Sequence, residues 1–158
     1  MRVLHVLHNS LPLLCGYSIR SGYIVNLERK MGFELSVVTS GQHPNGMAMR
    51  ETIAGVDYRR TPSAKRGRIP FVREWSLMRS LERGVEAEAK AFRPDLIHAH
   101  SPVLVGLPAL RVGRRLGIPV TEDRSENLLE WLYELRDYQR QHQRDGAWLI
   151  KGKDLPWE

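Results

Sequence analysis

The stretch Arg93-Pro94-Asp95-Leu96-Ile97-His98-Ala99-His100-Ser101-Pro102 restricts the fold of this chain more than any other. Pro94 and Asp95 stop the helical pattern before them, and Ser101-Pro102 opens a new one. Between these stops, Leu96, Ile97 and Ala99 form an apolar run too short for a helix. Such a run between two helical segments is the mark of a buried strand in a parallel sheet. In an open α/β sheet, ligands bind beyond the carboxyl ends of the strands. His100 stands at that end, and His98, two residues earlier, points the same way along the pleat. Histidines also end strands simply by satisfying local backbone groups. The run alone leaves both readings open.

The rest of the chain repeats this alternation. Val3, Leu4, Val6 and Leu7 read as a strand buried on both faces, ended by Asn9-Ser10-Leu11-Pro12. A loop through Cys15 and Gly16 leads into a helix whose Ile19, Tyr23, Ile24, Leu27 and Met31 share one face, and Gly32 closes it. Leu35, Val37 and Val38 make a second strand. Gln42 to Arg50 reads as a polar loop with an Asn45-Gly46 turn, and Gly55 to Arg59 as a short strand. A helix from Phe71 to Phe92 offers Val72, Trp75, Leu77, Met78, Leu81, Val85 and Ala89 to a core. After the central strand, Leu104, Leu107, Leu110, Val112 and Leu116 mark a further helix capped by Gly117, and Ile118-Pro119-Val120 begins a fifth strand.

The pattern predicts an α/β fold: a Rossmann-like open, mostly parallel sheet flanked by helices and joined by right-handed crossovers. We assign residues 1–124 to this domain and 125–158 to a divergent amphipathic helical tail. In the tail Leu128, Leu129, Trp131, Leu132 and Leu135 share a face, while Trp148-Leu149-Ile150 and Pro156-Trp157 read as exposed apolar groups.

A length of 158 residues suits one domain with a sizeable core. The single cysteine, Cys15, excludes an intrachain disulfide framework and fits a reducing cytoplasm. No run approaches the roughly 20 apolar residues of a membrane span. Leu13-Leu14-Cys15-Gly16 has the outline of a lipoprotein cleavage site, but His5, His8 and Asn9 interrupt the apolar segment before it, and export is not expected.

The net charge of +6 is unevenly spread. Arg59, Arg60, Lys65, Arg66, Arg68 and Arg73 fall in one stretch without an acid between Asp57 and Glu74. This is either a solvated loop or a surface for phosphate-bearing partners or anionic lipid, where each basic residue contributes ~1 kcal/mol. Nucleic acid is not expected as a partner, since no recognition motif accompanies the charge and Tyr58 and Phe71 only flank it.

The loop Leu13 to Ser18 joins the first strand to the first helix. A glycine there lets backbone approach a ligand, and the helix start presents free N–H groups to an anion. Gly16 and Gly22 do not form G-x-G-x-x-G, and no G-K-[ST] occurs, which argues against NAD and ATP. Two histidines make a metal site only with a third ligand. His5 and His8 are the nearest candidates, and no metal is expected. Cys15 has no histidine beside it in the chain to act as an activating base and is read as incidental.

The segments Pro94-Asp95-Leu96-Ile97-His98-Ala99-His100 and Leu116-Gly117-Ile118-Pro119-Val120, with the opening Met1 to Leu7, Leu11-Pro12 and Gly16-Tyr17-Ser18, occur in an order that resembles a known family. They are similar to the acceptor half of family 4 glycosyltransferases of the GT-B fold, and most to the subgroup linked to exopolysaccharide and exosortase gene clusters. The resemblance covers about residues 1 to 120. It implies transfer of a sugar from a nucleotide-sugar to a cell-envelope or exopolysaccharide acceptor, including lipid-linked acceptors. It implies that Gly16, Tyr17 and Ser18 close over the donor's diphosphate and the acceptor. His100 would face the transferred sugar as the catalytic-site histidine, while His98, nearer the body of the sheet, and Ser101 complete the substrate-binding set. The nucleotide-sugar is then a donor substrate, and no cofactor is expected.

The family's donor-binding half, with its E-x7-E carboxylates, is not among these residues. The expectation is an incomplete enzyme, inactive alone, that meets a complementary donor-binding half or self-associates through its tail. It would be cytoplasmic and peripheral at the inner face of the membrane. The alternative is a non-catalytic Rossmann-like binding domain that works through a protein partner.

Overall fold

The computed structural model describes residues 1–43, 47–63, 72–122 and 149–150. The chain runs β1 (Arg2–Leu7), α1 (Gly16–Lys30), β2 (Glu34–Thr39), β3 (Arg50–Ile53), β4 (Val56–Arg60), α2 (Val72–Phe92) and β5 (Leu96–Ala99). A π-helical turn (Pro102–Gly106) then leads into α3 (Leu107–Leu116), followed by β6 (Val120–Glu122) and β7 (Leu149–Ile150). The strands form one sheet in the order β3-β4-β2-β1-β5-β6-β7. Every pairing is parallel except β3 with β4. This is the α/β, Rossmann-like sheet that the alternation predicts, as in one half of a GT-B fold.

β1 lies at the centre of the sheet. From it the chain moves outward through β2 and β4 on one side, then returns to place β5 and β6 on the other. The order therefore reverses between β1 and β5, and this is where a crevice opens in such sheets.

The two faces of the sheet differ in kind. On one, Leu4, Val6, Val38, Ile97, Ala99 and Val120 pack against Leu81, Val85 and Ala89 of α2 and Val105, Ala109 and Val112. All are buried and apolar, and each Å² of such surface removed from water contributes about 25 cal/mol to folding. On the other face α1 covers Leu7, Val37, Val56 and Tyr58 through its own Val25.

Gly113 sets how closely α3 approaches the sheet. A Cβ there would lie 2.2 Å from Val120 Cγ2 and 2.7 Å from the carbonyl oxygen of Ile118. Gly113→Ala gains up to ~1 kcal/mol of helix propensity. It should nonetheless lower stability by about 1–3 kcal/mol, because backbone must shift to admit the methyl group. A urea midpoint equal to or above that of the parent chain would contradict this packing.

Several expectations need correction. Ile19 and Tyr23 do not face the core: they are 56% and 64% exposed. α1 instead buries Ser18, Ser21, Ile24, Val25 and Glu28, because the strands beneath it carry His5 and His98. Val72 and Trp75 are exposed in the first turns of α2, whereas Leu77, Leu81, Val85 and Ala89 are buried as predicted. Leu107 is exposed at the start of α3.

Arg50 begins a strand where a loop was expected. The hairpin from β3 to β4 turns through Ala54 and Gly55, both with positive φ (50° and 77°), as tight hairpin turns require. β3 gave no strand pattern because its side chains are mostly exposed. The backbones of Leu149 and Ile150 pair in parallel with Val120 and Thr121, while Trp148, Pro156 and Trp157 lie outside the described residues. The Asn45-Gly46 turn and the amphipathic face from Leu128 to Leu135 lie outside the described residues. Among the described residues, no helix is long and apolar enough to cross a membrane.

Candidate functional site

His100 follows β5 at the point where the strand order reverses. Its N–H donates to the carbonyl of Val6 (3.1 Å), which fixes it beside the end of β1. The ring is only 6% exposed and stacks on His98, with centroids 4.1 Å apart. His98 lies in register with His5 of β1, so period-two alternation turns all three imidazoles to the α1 side of the sheet.

Glu28 meets them from above. It sits near the end of α1 and is fully buried. His5 is the hub of the group: its Nδ1 is 2.9 Å from His100 Nε2, and its Nε2 is 2.8 Å from Glu28 Oε2. His98 Nδ1 lies 3.8 Å from the other Glu28 oxygen.

These contacts set the charges. Burial would raise the Glu28 carboxyl, but the charge and hydrogen bond of His5, joined by those of His98, hold it at about 2. Glu28 is therefore a carboxylate at neutral pH. His100 is pushed well below the ordinary histidine range, chiefly by burial and then by the charges of His98, His5 and Arg20. It is neutral, so it offers one donor nitrogen and one acceptor nitrogen.

Nitrogens of His5, His98 and His100 lie within 4.8 Å of one another, a grouping a metal ion could use. Both nitrogens of His5 are, however, already at hydrogen-bonding distance from His100 and Glu28. The observed geometry is that of a proton-sharing chain.

The start of α1 holds the other predicted residues. Gly16, Tyr17 and Ser18 form the first helical turn, not a loop. The Tyr17 hydroxyl accepts the N–H of His8 (3.0 Å), which ties the helix to the end of β1. The buried Ser18 hydroxyl accepts from the Cys15 N–H (3.0 Å) and donates to the Leu13 carbonyl, so it serves the helix start. A Cβ on Gly16 would meet nothing within 4 Å, which leaves open space above this turn. Ser101 is half-buried at the mouth of the π-helical turn.

Of the basic stretch, Arg59, Arg60 and Arg73 are among the described residues, and Arg60 does not reach the surface. Arg60 is buried, and its guanidinium donates to the carbonyls of Ala48 (2.7 Å) and Leu11 (2.9 Å) and to Glu51 (2.8 Å). It is a structural tie, and its place in an anionic-binding surface is withdrawn. Arg59 pairs with Glu88 at 3.4 Å. Arg73 is exposed on α2, and Lys65, Arg66 and Arg68 lie outside the described residues.

Sequence reasoning missed that part of this stretch borders a larger basic groove. Between β4 and α2 runs a groove of about 800 Å³, lined by Arg59 of that stretch and by Arg50, Arg79, Arg83 and Trp75 among others. The Arg79 guanidinium lies 4.5 Å over the Trp75 ring. The available signal was the spacing of four between Trp75, Arg79 and Arg83 on the outer face of the helix. Glu28 was missed too. Ser18, Ser21, Val25 and Glu28 recur at intervals of three and four, which was the hint of a polar buried face.

The sequence of residues 16–149 matches the model of a family described as the glycosyl transferase 4-like domain. No curated protein matches the chain. Among solved structures, the fold is similar to sucrose-phosphate synthase from Thermosynechococcus elongatus, with a TM-score of 0.59 and 11% identity over 95% of this chain and 47% of that one. It is similar also to CalG4, the calicheamicin glycosyltransferase (0.56, 13% identity, 86% of this chain and 37% of that one). UDP-GlcNAc 2-epimerase from Methanocaldococcus jannaschii gives 0.52 and 11% identity over 77% of this chain and 31% of that one. The chain thus spans less than half the length of each. Because an epimerase shares the fold, the sheet by itself does not select a reaction. The match over most of the sequence, on a sheet whose strand order reverses beside His100, assigns the family: this chain belongs to the glycosyl transferase 4-like domain family.

Proposed function

We propose that this domain forms the acceptor-side wall of a glycosyltransferase cleft, and that transfer needs a donor-binding half on the other side. The observation that supports it best is the family match, combined with a neutral His100 at the β1–β5 crevice next to the opening turn of α1. A neutral imidazole can hydrogen-bond a sugar hydroxyl without competing for the donor's negative phosphates. The open space at Gly16 gives a phosphate or acceptor room to approach backbone N–H groups. His98 and Ser101 flank His100 along the chain and support it from below and beside.

The reading extends to a nucleotide-sugar as donor substrate, with no resident cofactor. The acceptor is a cell-envelope or exopolysaccharide glycan, lipid-linked in form, as in the exopolysaccharide-associated subgroup that the sequence resembles. The protein acts in the cytoplasm at the inner face of the membrane. Arg73, with Arg50, Arg79 and Arg83, supplies an exposed basic surface suited to anionic lipid. Transfer depends on aligning donor and acceptor across both walls of a cleft.

Two measurements test this. Titrating the ¹⁵N-labelled chain with nucleotide-sugars and candidate acceptors should shift resonances at Gly16, Tyr17 and His100, with weak affinity. The same chain should show no sugar transfer. Turnover of roughly 1 per second or faster would overturn the need for a second half, and unmoved resonances throughout would overturn the cleft itself.

A further inference from the structure

The family match says nothing of Glu28 or His5; sequence reasoning did not point to Glu28 at all, and offered His5 only as a metal ligand. Both are wholly buried, yet both are ionisable, and they lead in line to His100. A neutral histidine carries one proton on either of two nitrogens, and the hydrogen bond made by one nitrogen decides what the other can offer. The chain of contacts permits this decision to be followed atom by atom. An ionised carboxylate only accepts, so Glu28 Oε2 at 2.8 Å requires the proton of His5 to sit on Nε2. When His5 is neutral that is its one proton, and its Nδ1 carries a lone pair. At 2.9 Å from His100 Nε2 it requires that nitrogen to be the donor. The proton of His100 is thereby placed on Nε2, and its Nδ1 is left as an acceptor.

We propose that Glu28 and a neutral His5 are positioning residues that hold His100 as its Nε2–H tautomer, so that Nδ1 accepts a hydrogen bond from a sugar hydroxyl in the cleft. The role at the sugar rests on the glycosyl-transfer reading, while the tautomer does not. Without the carboxylate the His5 proton is free to move to Nδ1, and His100 then becomes a donor towards the cleft. A hydroxyl can turn to meet a donor or an acceptor, but the acceptor arrangement pulls its proton away from the oxygen. It therefore favours an alcohol that is about to form a bond through that oxygen. Other groups bearing on His100 are His98, stacked on it, and Arg20, whose charge acts on it from α1. Neither is at hydrogen-bonding distance from His100 Nε2 among the described contacts.

Long-range ¹H–¹⁵N correlation spectra of the full chain at pH 8 read the tautomer directly, because bare and protonated imidazole nitrogens have well-separated shifts. His5→Asn and His100→Asn variants assign the two rings. We expect the parent protein to show single Nε2–H tautomers for both His5 and His100. Glu28→Gln, which keeps the shape but can donate as well as accept, should mix or reverse the tautomers of both rings together. A purely structural Glu28 would leave His100 unchanged. An Nδ1–H tautomer at His100 in the parent chain, or an unaltered pattern in Glu28→Gln, overturns the proposal. If Glu28→Gln does not fold, the parent spectrum alone still decides. No sugar is present in this measurement, so its failure is distinct from a failure of glycosyl transfer.

Discussion

His5→Leu should lower the stability of the folded domain by about 3–5 kcal/mol at pH 7. The reason is the charge it abandons. Glu28 is fully buried and hydrogen-bonded to His5 at 2.8 Å, so removing the imidazole leaves a carboxylate without its principal partner in a site water does not reach. His98, 3.8 Å from the other carboxylate oxygen, softens this loss without cancelling it. The double variant His5→Leu/Glu28→Leu should recover much of the stability, since an apolar pair of similar volume often replaces a buried ionic pair at little cost. A denaturation series on the two variants separates these outcomes. Equal losses in single and double variants would show that packing around His5, and not the stranded charge, is what matters.

The same pair gives a pH signature. The Glu28 carboxyl stands at about 2 in the folded chain, against ~4.3 for an unperturbed glutamate. A depressed carboxyl stabilises the fold above its unfolded pKa, and that contribution is lost as pH falls from ~4.3 through about 2. Two units correspond to roughly 3 kcal/mol. In His5→Leu the sign should reverse: burial without the imidazole raises the Glu28 carboxyl, so the variant should gain stability as pH falls towards ~4.3 and level off below it, where the parent loses its own. Parallel pH dependence in the two proteins would rule out the coupling.

Arg60→Met should cost about 2–4 kcal/mol, far more than a typical change at a basic surface position. The guanidinium reaches Leu11 in the loop after β1, Ala48 before β3 and Glu51 within β3, and so fastens three separate segments to the end of β4. Losing it strands two carbonyls and one carboxylate. Arg60→Lys should restore less than half of the loss, because an ammonium is a single point and cannot reach partners on both sides as a planar fork does. Hydrogen exchange should localise the effect to the β3–β4 hairpin. Loss of less than about 0.5 kcal/mol in Arg60→Met would mean that the three contacts are not held in solution. The result also bears on function, since Arg60 sits within a basic stretch yet is not available to an anionic surface.

The polar cluster under α1 explains why both results depend on pairs far apart in sequence. Reading along the chain finds elements. The central strand, its neighbours and the helices between them were legible because apolar residues recur at intervals of two or of three and four, and because Pro94, Gly117 and the other stops bound them. While its role as a site candidate came from the family resemblance, the position of His100 at the carboxyl end of a strand was legible for the same reason. β3 was not, because its side chains face solvent on an edge and carry no alternation.

What periodicity cannot supply is the partner on the other side of a contact. Ile19 and Tyr23 satisfy the apolar spacing of a helix and still lie outside, while Ser18, Ser21 and Glu28 lie inside. The choice between these faces belongs to the strands beneath α1. There the register of β1 with β5 puts His5 beside His98 and makes the buried surface polar. Likewise Arg60 has the composition of a surface residue, and only the meeting of β4 with two loops buries its charge and supplies its acceptors. The α/β order, the central strand and His100 at its end were thus decided by local pattern, because each depends on residues within a turn or two of one another. The Glu28–His5–His100 line was decided by tertiary structure, because it joins positions 23 and 95 residues apart whose ionisable groups are tolerable in the interior only once they meet.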